Sequence, residues 1–355
     1  MPEGTEHRPL TLAVVGATGL VGQTMIRLLG ERNFPVAELR PLASRAGGRV
    51  IDFGGRQLPV AETTPAAFEG VDIALFSAGG DVAAVLAPAA AERGALVIDN
   101  SSQWRMDPAV PLVVPEVNPD DAALHDGIIA NPNCSTMQLV PLLRALDEAV
   151  GLERVIVDTY QSVSGTGADA VAELDSQVRA HVAGNVPVAN VYPHPIAFNA
   201  LPEIDVFRED GYSKEEWKVI VESRKILHRP ELAISCTAVR VPVFVAHSEA
   251  VHVDTRGPLS ADAARALFGT LAGVVVDDDP GEHRYPLATK AAGRDEIFVG
   301  RIRADASRPD GRGLAFWVVA DNLRKGAATN AIQIAELCHA RGWLARRSVR
   351  DGIVA

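Results

Sequence analysis

Cys134 is the residue in this 355-residue sequence whose type and position best suit covalent chemistry. It lies in the segment Asn131-Pro132-Asn133-Cys134-Ser135-Thr136, immediately before apolar residues at helical spacing between positions 137 and 146. That spacing predicts a helix that begins at the cysteine. The start of a helix favours the thiolate, which is the reactive form, and its unpaired N–H groups can bind an oxyanion. The segment therefore predicts a nucleophilic thiol.

The other two cysteines carry no such signal. A cysteine outside a disulfide is most often a small buried hydrophobic residue. We assign that role to Cys236, within a predicted strand, and to Cys338, on a predicted C-terminal helix. Three scattered cysteines form neither a disulfide framework nor a zinc-binding pattern, so we expect no metal site.

A glycine-rich segment follows the first apolar run of the chain. Residues 11–15 predict a strand, and the sequence from Gly16 to Gly22 reads GATGLVG before a helical pattern begins. Glycines let backbone N–H groups approach a pyrophosphate, and a helix N-terminus favours its negative charge. The spacing is GxxGxxG rather than GxGxxG, so a tight turn without a ligand is the alternative. We expect the residues that bind the dinucleotide to be Gly16, Thr18, Gly19, Leu20 and Val21.

The end of the second predicted strand indicates which dinucleotide binds. NAD sites usually have an acidic residue there for the ribose 2′-hydroxyl. This strand ends in Leu42-Ala43-Ser44-Arg45, without an acid. A hydroxyl and a guanidinium suit a 2′-phosphate, so Ser44 and Arg45 predict NADP. The alternative is that Arg45 is a solvated loop residue.

The elements that must position these residues fall into two groups. Short apolar strands alternate with helical patterns over the first hundred residues, which is typical of an α/β Rossmann-type domain with a parallel sheet. Long β-rich runs at 154–162 and 234–254, with helical segments between them, predict an α+β domain on a mixed sheet. We place the first domain at residues 1–132, joined by a C-terminal helix at 325–355, and the second at 133–324.

Composition excludes several classes of function. Apolar residues make up 47% of the chain and charged residues 22%, as in soluble globular proteins. The net charge of −11 argues against a nucleic-acid partner, because a phosphate backbone requires a basic surface. The best candidate for a membrane span, residues 82–98, is interrupted by Glu92 and Arg93, and the N-terminus has no signal-peptide pattern. We therefore expect a cytoplasmic protein without a membrane partner.

Several unusual segments resemble, in the same order, those of aspartate-semialdehyde dehydrogenases. Besides the Cys134 segment they are YQSVSG at 160–165, YPHPIAFN at 192–199, KIL at 225–227, RVPV at 240–243, His247 and DNLRKGAA at 321–328. The resemblance runs from about residue 10 to about residue 345. It implies NADPH-dependent reduction of L-aspartyl 4-phosphate to L-aspartate 4-semialdehyde with release of phosphate, in lysine, threonine, methionine and diaminopimelate biosynthesis. It also implies that the second domain binds substrate and forms a homodimer or homotetramer.

The resemblance further assigns roles to individual residues. Cys134 would form a thioacyl intermediate, and His247 would be the acid–base residue that helps to deprotonate Cys134 and later returns a proton. Arg240 would bind the substrate carboxylate, since a buried guanidinium is expensive without an anionic partner. The resemblance also implies that Gln161 orients the substrate and that Glu215 binds its amino group. Phosphate would be bound by Lys218, Arg105 and Asn133. The cofactor would be contacted by Ser164, Gly165 and Asn322.

Two local patterns test these assignments. Arg240 and His247 are an odd number of residues apart, so on one regular strand they would face opposite sides. A shared pocket therefore requires a break in the strand, for which Pro242 is a suitable place. The segment from Ser213 to Glu216 is a capping-box pattern, which gives Glu216 a structural role. Glu215 would then share a helix face with Lys218, and an ordinary surface ion pair is the alternative.

Two other functions remain open at this point. N-acetyl-γ-glutamyl-phosphate reductase has the same cysteine and histidine chemistry on a similar fold, although the N-P-N-C segment favours the aspartate enzyme. A non-catalytic sensor that binds NADP on this scaffold is the alternative from another class.

Overall fold

The computed structural model describes residues 8–45 and 47–345. The chain divides into two compact units: unit 1 contains the residues up to Pro132 and those from Ala327 onward, and unit 2 is Asn133–Gly326. Of the C-terminal segment predicted as helix at 325–355, residues 346–355 lie outside the described residues.

Helices and strands alternate in the first part of the chain and are grouped differently in the second. The strands are β1 (Leu10–Val15), β2 (Val36–Ala43), β3 (Val50–Phe53), β4 (Arg56–Pro59), β5 (Ala61–Glu62), β6 (Ile73–Phe76), β7 (Leu96–Asp99), β8 (Ile128–Ala130), β9 (Leu152–Gln161), β10 (Ala233–Arg240), β11 (His247–Thr255), β12 (Val274–Val276), β13 (Ile297–Ala304) and β14 (Gly313–Ala320). The helices are α1 (Leu20–Glu31), α2 (Gly80–Glu92), α3 (Cys134–Val150), α4 (Ala168–Val182), α5 (Lys214–Ile226), α6 (Ala261–Phe268), α7 (Ala288–Ala291) and α8 (Asn330–Ala340).

Unit 1 is built on a six-stranded parallel sheet in the order β5-β2-β1-β6-β7-β8. Strands β6 and β7 are buried along their whole length, as expected where helices cover both faces of a sheet. The strand order reverses direction at β1, and the glycine-rich segment directly follows this strand. In open α/β sheets this reversal is where ligands bind. The predicted Rossmann-type architecture is confirmed.

Unit 2 is built on a mixed six-stranded sheet in the order β10-β9-β11-β14-β13-β12. Strand β9 is parallel to β10 and antiparallel to β11. From Val155 onward, every second residue of β9 is buried on one face of the sheet, namely Val155, Val157, Thr159 and Gln161. Helix α3, which is itself largely buried, packs against this face. Mixed strand directions confirm the predicted α+β class.

Two predicted segments differ in detail from the structure. The β-rich run at 234–254 is not one strand, because β10 ends at Arg240 and β11 begins at His247. The C-terminal helical segment begins with a π-helical stretch, Arg324–Thr329, and α8 ends at Ala340. The helix predicted at 325–355 therefore stops within the described residues, where Gly342 adopts a positive φ. In the described ranges, no helix combines the length and the apolar character that crossing a membrane requires.

Candidate active site

A row of three buried polar side chains crosses the mixed sheet at the end of β9. Arg240 pairs with Gln161 in the parallel ladder of β10 and β9. Ser248 pairs with Tyr160 in the antiparallel ladder of β11 and β9, which places His247 beside Gln161 on its other side. Since side chains at matched positions of adjacent strands share a face, the three project from one side of the sheet.

The chain reaches this arrangement by leaving the sheet between Arg240 and His247. Residues 241–246 run alongside the end of β9 instead of continuing β10, and the N–H of Val163 donates to the carbonyl of Val243 at 2.9 Å. The odd separation in sequence therefore does not matter, because the two residues lie on different strands that flank β9. The break predicted near Pro242 is present.

Cys134 is the first residue of α3 and is half-buried. Asn133 caps this helix, since its Oδ1 accepts hydrogen bonds from the N–H groups of Ser135 at 3.0 Å and Thr136 at 3.3 Å. The Ser135 hydroxyl in turn accepts a hydrogen bond from Gln161 Nε2 at 3.1 Å. The start of the helix, as predicted, is thereby fixed to the polar row of the sheet.

Two carboxylates on α5 hold Asn133. Its Nδ2 donates to Glu215 Oε1 at 2.8 Å, and its backbone N–H donates to Glu222 Oε2 at 2.6 Å. The structure thus gives Asn133 a capping role, and only the second hydrogen of Nδ2 is left for a ligand. Glu222 was missed at the level of sequence. Its position two helical turns after Glu215, on the same face, is the signal that could have identified it.

Glu215 is also the centre of a charged cluster. Its carboxylate accepts hydrogen bonds from Gln161 Nε2 and Lys218 Nζ, both at 3.2 Å, and Lys218 also pairs with Asp205 at 2.9 Å. Burial alone would raise the pKa of Glu215, but Lys218 and Asn133 lower it overall. Burial alone would lower the pKa of Lys218, but Glu215 and Asp205 raise it overall. Both groups therefore stay charged. The pair is more buried than the ordinary surface ion pair that was the alternative interpretation.

The neighbouring Glu216 has the structural role predicted for it. Its Oε2 accepts from the backbone N–H of Ser213 at 2.6 Å, and the Ser213 hydroxyl accepts from the N–H of Glu216 at 3.3 Å. The capping box is therefore confirmed. Its other oxygen accepts from the N–H of Ala238 at 3.0 Å, which ties α5 to β10.

Among the described residues, Arg240 and His247 each present a buried nitrogen without a hydrogen-bond partner, Nε in Arg240 and Nε2 in His247. Arg240 Nη1 donates to the carbonyl of Ser162 at 2.8 Å, and His247 Nδ1 accepts from the N–H of Ser162 at 3.0 Å. Burial, followed by the charge of Arg240, lowers the pKa of His247 to about 3. A Cβ atom on Gly165 would lie 3.0 Å from Arg240 Nη1 and 3.1 Å from His247 Nε2. The glycine thus leaves this space open.

Ser164 and Asn322, both predicted to contact the cofactor, are buried and bonded to each other, with Asn322 Nδ2 donating to Ser164 Oγ at 3.0 Å. Asn322 Oδ1 accepts from the Ser162 hydroxyl at 3.0 Å and from the N–H of Ala246 at 2.9 Å. Ala246 has a φ of +79°, which is rare for a residue other than glycine. Sequence reasoning identified neither Ser162 nor Ala246 as part of the site, because no local pattern marks them.

The glycine-rich segment lies in unit 1. Gly16 has a φ of +83°, and a Cβ atom there would lie 2.3 Å from the carbonyl oxygen of Ser77. A Cβ atom on Gly22 would lie 2.2 Å from the carbonyl oxygen of Gly16. Gly19 precedes α1 without a side-chain cap, so the helix presents its first N–H groups at the loop. Of the other predicted residues, Gly19 is exposed and Thr18, Leu20 and Val21 are half-buried.

The other predicted residues of unit 1 lie at the ends of strands. Ser44 and Arg45 directly follow β2 and are exposed. Arg105 follows β7 and is buried, with Nε donating to the carbonyl of Asn131 at 2.9 Å and Nη2 to that of Asn100 at 2.7 Å. Its guanidinium is therefore oriented by backbone carbonyls within unit 1.

The comparisons with known proteins agree with this arrangement. Residues 11–125 match the family model of the semialdehyde dehydrogenase NAD-binding domain, and residues 142–325 match that of the semialdehyde dehydrogenase dimerisation domain. The aspartate-semialdehyde dehydrogenase of Aquifex aeolicus is 53% identical over 338 residues, which cover 94% of this chain and 99% of the relative. That of Bacillus subtilis is 49% identical, with 93% and 97% covered.

A solved structure extends the similarity to three dimensions. It is that of aspartate semialdehyde dehydrogenase II from Vibrio cholerae in complex with ASA, which is 46% identical and superimposes with a TM-score of 0.90. The alignment covers 93% of this chain and 98% of the other. On this evidence, the chain belongs to the aspartate-semialdehyde dehydrogenase family.

Proposed function

We propose that this protein catalyses the NADPH-dependent conversion of L-aspartyl 4-phosphate to L-aspartate 4-semialdehyde and phosphate, through a thioacyl intermediate on Cys134. The reaction serves lysine, threonine, methionine and diaminopimelate biosynthesis. The observation that carries the proposal is a pair of buried nitrogens, in Arg240 and His247, that have no partner in the part of the chain that the structure describes. They lie in a row tied to the helix that begins at Cys134. Buried donors without partners are costly, and an anionic substrate would pair with them.

The charged groups of unit 2 match the parts of the proposed substrate. Arg240 would bind the α-carboxylate through its guanidinium, for which the unpaired Nε is available. Glu215, which stays ionised although it is buried, would bind the amino group. Gln161 would hold the substrate at the reacting carbon, and Lys218 would bind the phosphate. An acidic protein thereby gains a local positive site for an anionic substrate.

The residues of unit 1 fit a bound dinucleotide phosphate. A side chain on Gly16 or Gly22 would collide with backbone, so the loop needs glycine at both positions to take this shape. That shape presents backbone N–H groups and the start of α1 to a pyrophosphate. Ser44 and Arg45 would bind the 2′-phosphate of NADP. By the resemblance, Ser164, Gly165 and Asn322 would also contact the cofactor. When bound, the cofactor supplies the hydride.

Arg105 and Asn133 are the two remaining phosphate contacts of the proposal. Protein partners already orient both side chains: the carbonyls of Asn131 and Asn100 hold Arg105, and Glu215 holds Asn133. A guanidinium and an amide held in this way would receive the phosphate without reorganising, which is the condition for efficient electrostatic stabilisation.

The two units would have different tasks. Unit 1 would bind NADP, and unit 2 would carry the chemistry and form a homodimer. The support for the dimer is the sheet face opposite α3, where Tyr160 is 38% exposed and packs at an angle of 44° against Trp317, with ring centroids 5.4 Å apart. A cavity of about 380 Å³ lies beside them, lined in part by Ser248 and Ala250. Size-exclusion chromatography with light scattering tests this: Trp317→Arg should shift the dimer to monomer, and a tetramer would show a second interface.

The substrate proposal is tested by phosphate-dependent reduction of NADP⁺. L-aspartate 4-semialdehyde and the N-acetylglutamate semialdehyde are assayed side by side with wild-type protein. We expect turnover of the aspartate compound. Turnover of the acetylated compound alone would identify the chain as an N-acetyl-γ-glutamyl-phosphate reductase. Tight NADPH binding without turnover of either compound would make it a sensor.

The role of Cys134 is tested with a matched pair of variants. Cys134→Ala should abolish turnover, because the acyl group has no other nucleophile. Cys236→Ala makes the same chemical change at a buried cysteine in the middle of β10 and should retain activity. Full activity in the Cys134 variant would refute the thioacyl mechanism. Trapping of the acyl-enzyme by mass spectrometry of the wild-type protein would confirm the site of attachment.

A further inference from the structure

Lys218 lies between two carboxylates that come from different parts of unit 2. Its Nζ is 3.2 Å from Glu215 Oε2, one helical turn earlier on α5, and 2.9 Å from Asp205 Oδ2, in the connection that precedes α5. Two carboxylates around one ammonium leave the cluster with a net negative charge, which repels a phosphate anion. Phosphate can therefore gain the full charge of Lys218 only if one of the carboxylates releases the ammonium.

All three side chains of this cluster are charged in the substrate-free protein. Burial alone would raise the pKa of Asp205, but the hydrogen bond from Lys218 lowers it overall. The pKa of Glu215 is also lowered, and that of Lys218 is raised. Each contact with the ammonium is thus a pair of opposite charges, so an anionic ligand of Lys218 has to replace one of them.

Glu215 is fixed in place by partners on its other side. Its side chain is 8% exposed, and its Oε1 accepts hydrogen bonds from Asn133 Nδ2 at 2.8 Å and Gln161 Nε2 at 3.2 Å. Asn133 in turn caps the helix that begins at Cys134. Moving Glu215 would disturb this cap and leave a buried carboxylate without its partners, which is costly. Glu215 is therefore not the carboxylate that gives way.

Asp205 is the carboxylate that can move. It lies in a bend outside the helices and strands, and its side chain is 35% exposed. Its second oxygen, Oδ1, accepts from the backbone N–H of Val206 at 2.8 Å. Val206 is exposed as well, so water can replace this bond. Rotation of the Asp205 side chain would carry its charge into solvent and leave Lys218 paired with Glu215.

The backbone places Asp205 beside Lys218 through an uncommon conformation. Asp205 has a φ of +67°, which Asn and Asp adopt more readily than other residues apart from glycine. Such conformations persist where surrounding contacts fix them. Directly after the bend, the carbonyl of Val206 accepts from the N–H of Lys214, the first residue of α5, at 2.9 Å. The bend is thus held against the start of the helix that carries Lys218.

We propose that Asp205 competes with phosphate for Lys218: it holds the ammonium in the substrate-free protein, turns toward solvent when phosphate binds and returns when phosphate leaves. Asp205 is therefore a positioning residue, which acts on phosphate through Lys218. This inference rests on the proposed function and deepens it, because it assigns control of the phosphate affinity to a residue outside the proposed contacts. The returning carboxylate also favours release of phosphate, since it replaces the ion pair that phosphate gives up.

The test is the KM for inorganic phosphate in the oxidation of L-aspartate 4-semialdehyde at saturating NADP⁺. Asp205→Asn removes the charge, and asparagine tolerates the positive φ and keeps an acceptor oxygen for the N–H of Val206. We expect KM for phosphate to fall by about threefold or more, the factor expected for loss of a partly exposed ion pair. A purely structural role of Asp205 would not improve phosphate binding. An unchanged or increased KM would overturn the inference.

Asp210→Asn is the matched control in the same connection. It removes the same charge from a residue that pairs with Arg208 at 3.2 Å instead of Lys218. KM for phosphate in this variant should equal that of the wild type. A decrease as large as that in Asp205→Asn would show that the overall charge of this surface sets the affinity, and would refute competition for Lys218.

A double-mutant cycle tests whether Asp205 acts through Lys218. Asp205→Asn should lower KM for phosphate when Lys218 is present and leave it nearly unchanged in a Lys218→Gln background. An equal decrease in both backgrounds would contradict the proposal.

Titration calorimetry with inorganic phosphate makes the same comparison without turnover. Tighter binding to Asp205→Asn than to the wild type supports the inference, and equal or weaker binding overturns it. Failure of the wild type to oxidise L-aspartate 4-semialdehyde would instead refute the proposed function. The two results are therefore distinguishable.

Discussion

Two adjacent glutamates on α5 should respond to the same substitution in opposite ways. Glu215→Gln removes a charge and keeps the shape of the side chain. If Glu215 binds the substrate amino group, the variant loses a charge-assisted hydrogen bond, which contributes about 1.5–3 kcal/mol. We therefore expect KM for L-aspartate 4-semialdehyde to rise by about 10- to 100-fold, at roughly tenfold per 1.4 kcal/mol.

The stability of the same variant should change little. The glutamine oxygen can still accept a hydrogen bond from Asn133 or Gln161. In the wild type, their amide nitrogens lie 2.8 Å and 3.2 Å from Glu215 Oε1. Lys218 keeps its second partner, Asp205. No buried group is left without a partner by necessity, so the free energy of unfolding should remain close to that of the wild type.

Glu216→Gln is the matched control on the same helix. Both oxygens of Glu216 accept backbone N–H groups, those of Ser213 and Ala238, and a glutamine has a single acceptor oxygen. One buried N–H then loses its partner, at a cost of about 1–3 kcal/mol in the free energy of unfolding. KM should be unchanged, because Glu216 faces Ser213 and β10 rather than the substrate.

The assays are steady-state kinetics by cofactor absorbance and urea unfolding of both variants. The expected pattern is a large KM effect with little change in stability for Glu215→Gln, and the reverse for Glu216→Gln. An unchanged KM in Glu215→Gln, with the protein folded, would refute the substrate role of Glu215. It would leave this residue as part of the cap of α3 through Asn133.

Three further predictions concern other parts of the molecule. Arg240→Lys keeps the charge but loses the planar guanidinium that can bind a carboxylate through two N–H groups, so kcat/KM for L-aspartate 4-semialdehyde should fall by about 10-fold or more. An unchanged kcat/KM would show that Arg240 does not bind the carboxylate. Arg45→Asp should shift the ratio of kcat/KM from NADP⁺ toward NAD⁺, and no shift would make Arg45 a solvated loop residue. In the wild type, the unfolded chain takes up a proton on His247 near pH 6.5 and the folded chain only near pH 3, so stability should fall as pH drops through this window. His247→Gln should reduce that pH dependence of urea unfolding, and an identical pH profile in both proteins would contradict the lowered pKa.

Local patterns predicted the parts of the site that depend on local structure. The start of α3 at Cys134 and the capping box at Ser213 follow from short-range rules of helix termination. The break near Pro242 is expected only if Arg240 and His247 share a pocket, since the local pattern at 234–254 indicates one β-rich run. The alternation of elements predicted the parallel sheet of unit 1 in the same way.

The unpredicted parts depend on register between distant strands. The row of Arg240, Gln161 and His247 exists because β10 and β11 flank β9 at one register, and no window of sequence contains that pairing. Ser162 and Ala246 act through backbone N–H groups, which every sequence position has except proline. Side-chain chemistry therefore could not distinguish them before the fold was known.

The alternation along β9 gives the core and the site a common vulnerability. Val155 and Val157 face the same side as Gln161, so one two-residue repeat both buries the apolar side chains and presents the polar one. Inserting or deleting a single residue within β9 would turn every later side chain to the other face. Changes of chain length should therefore accumulate in the connections outside the sheet, whereas β9 should change only by substitution.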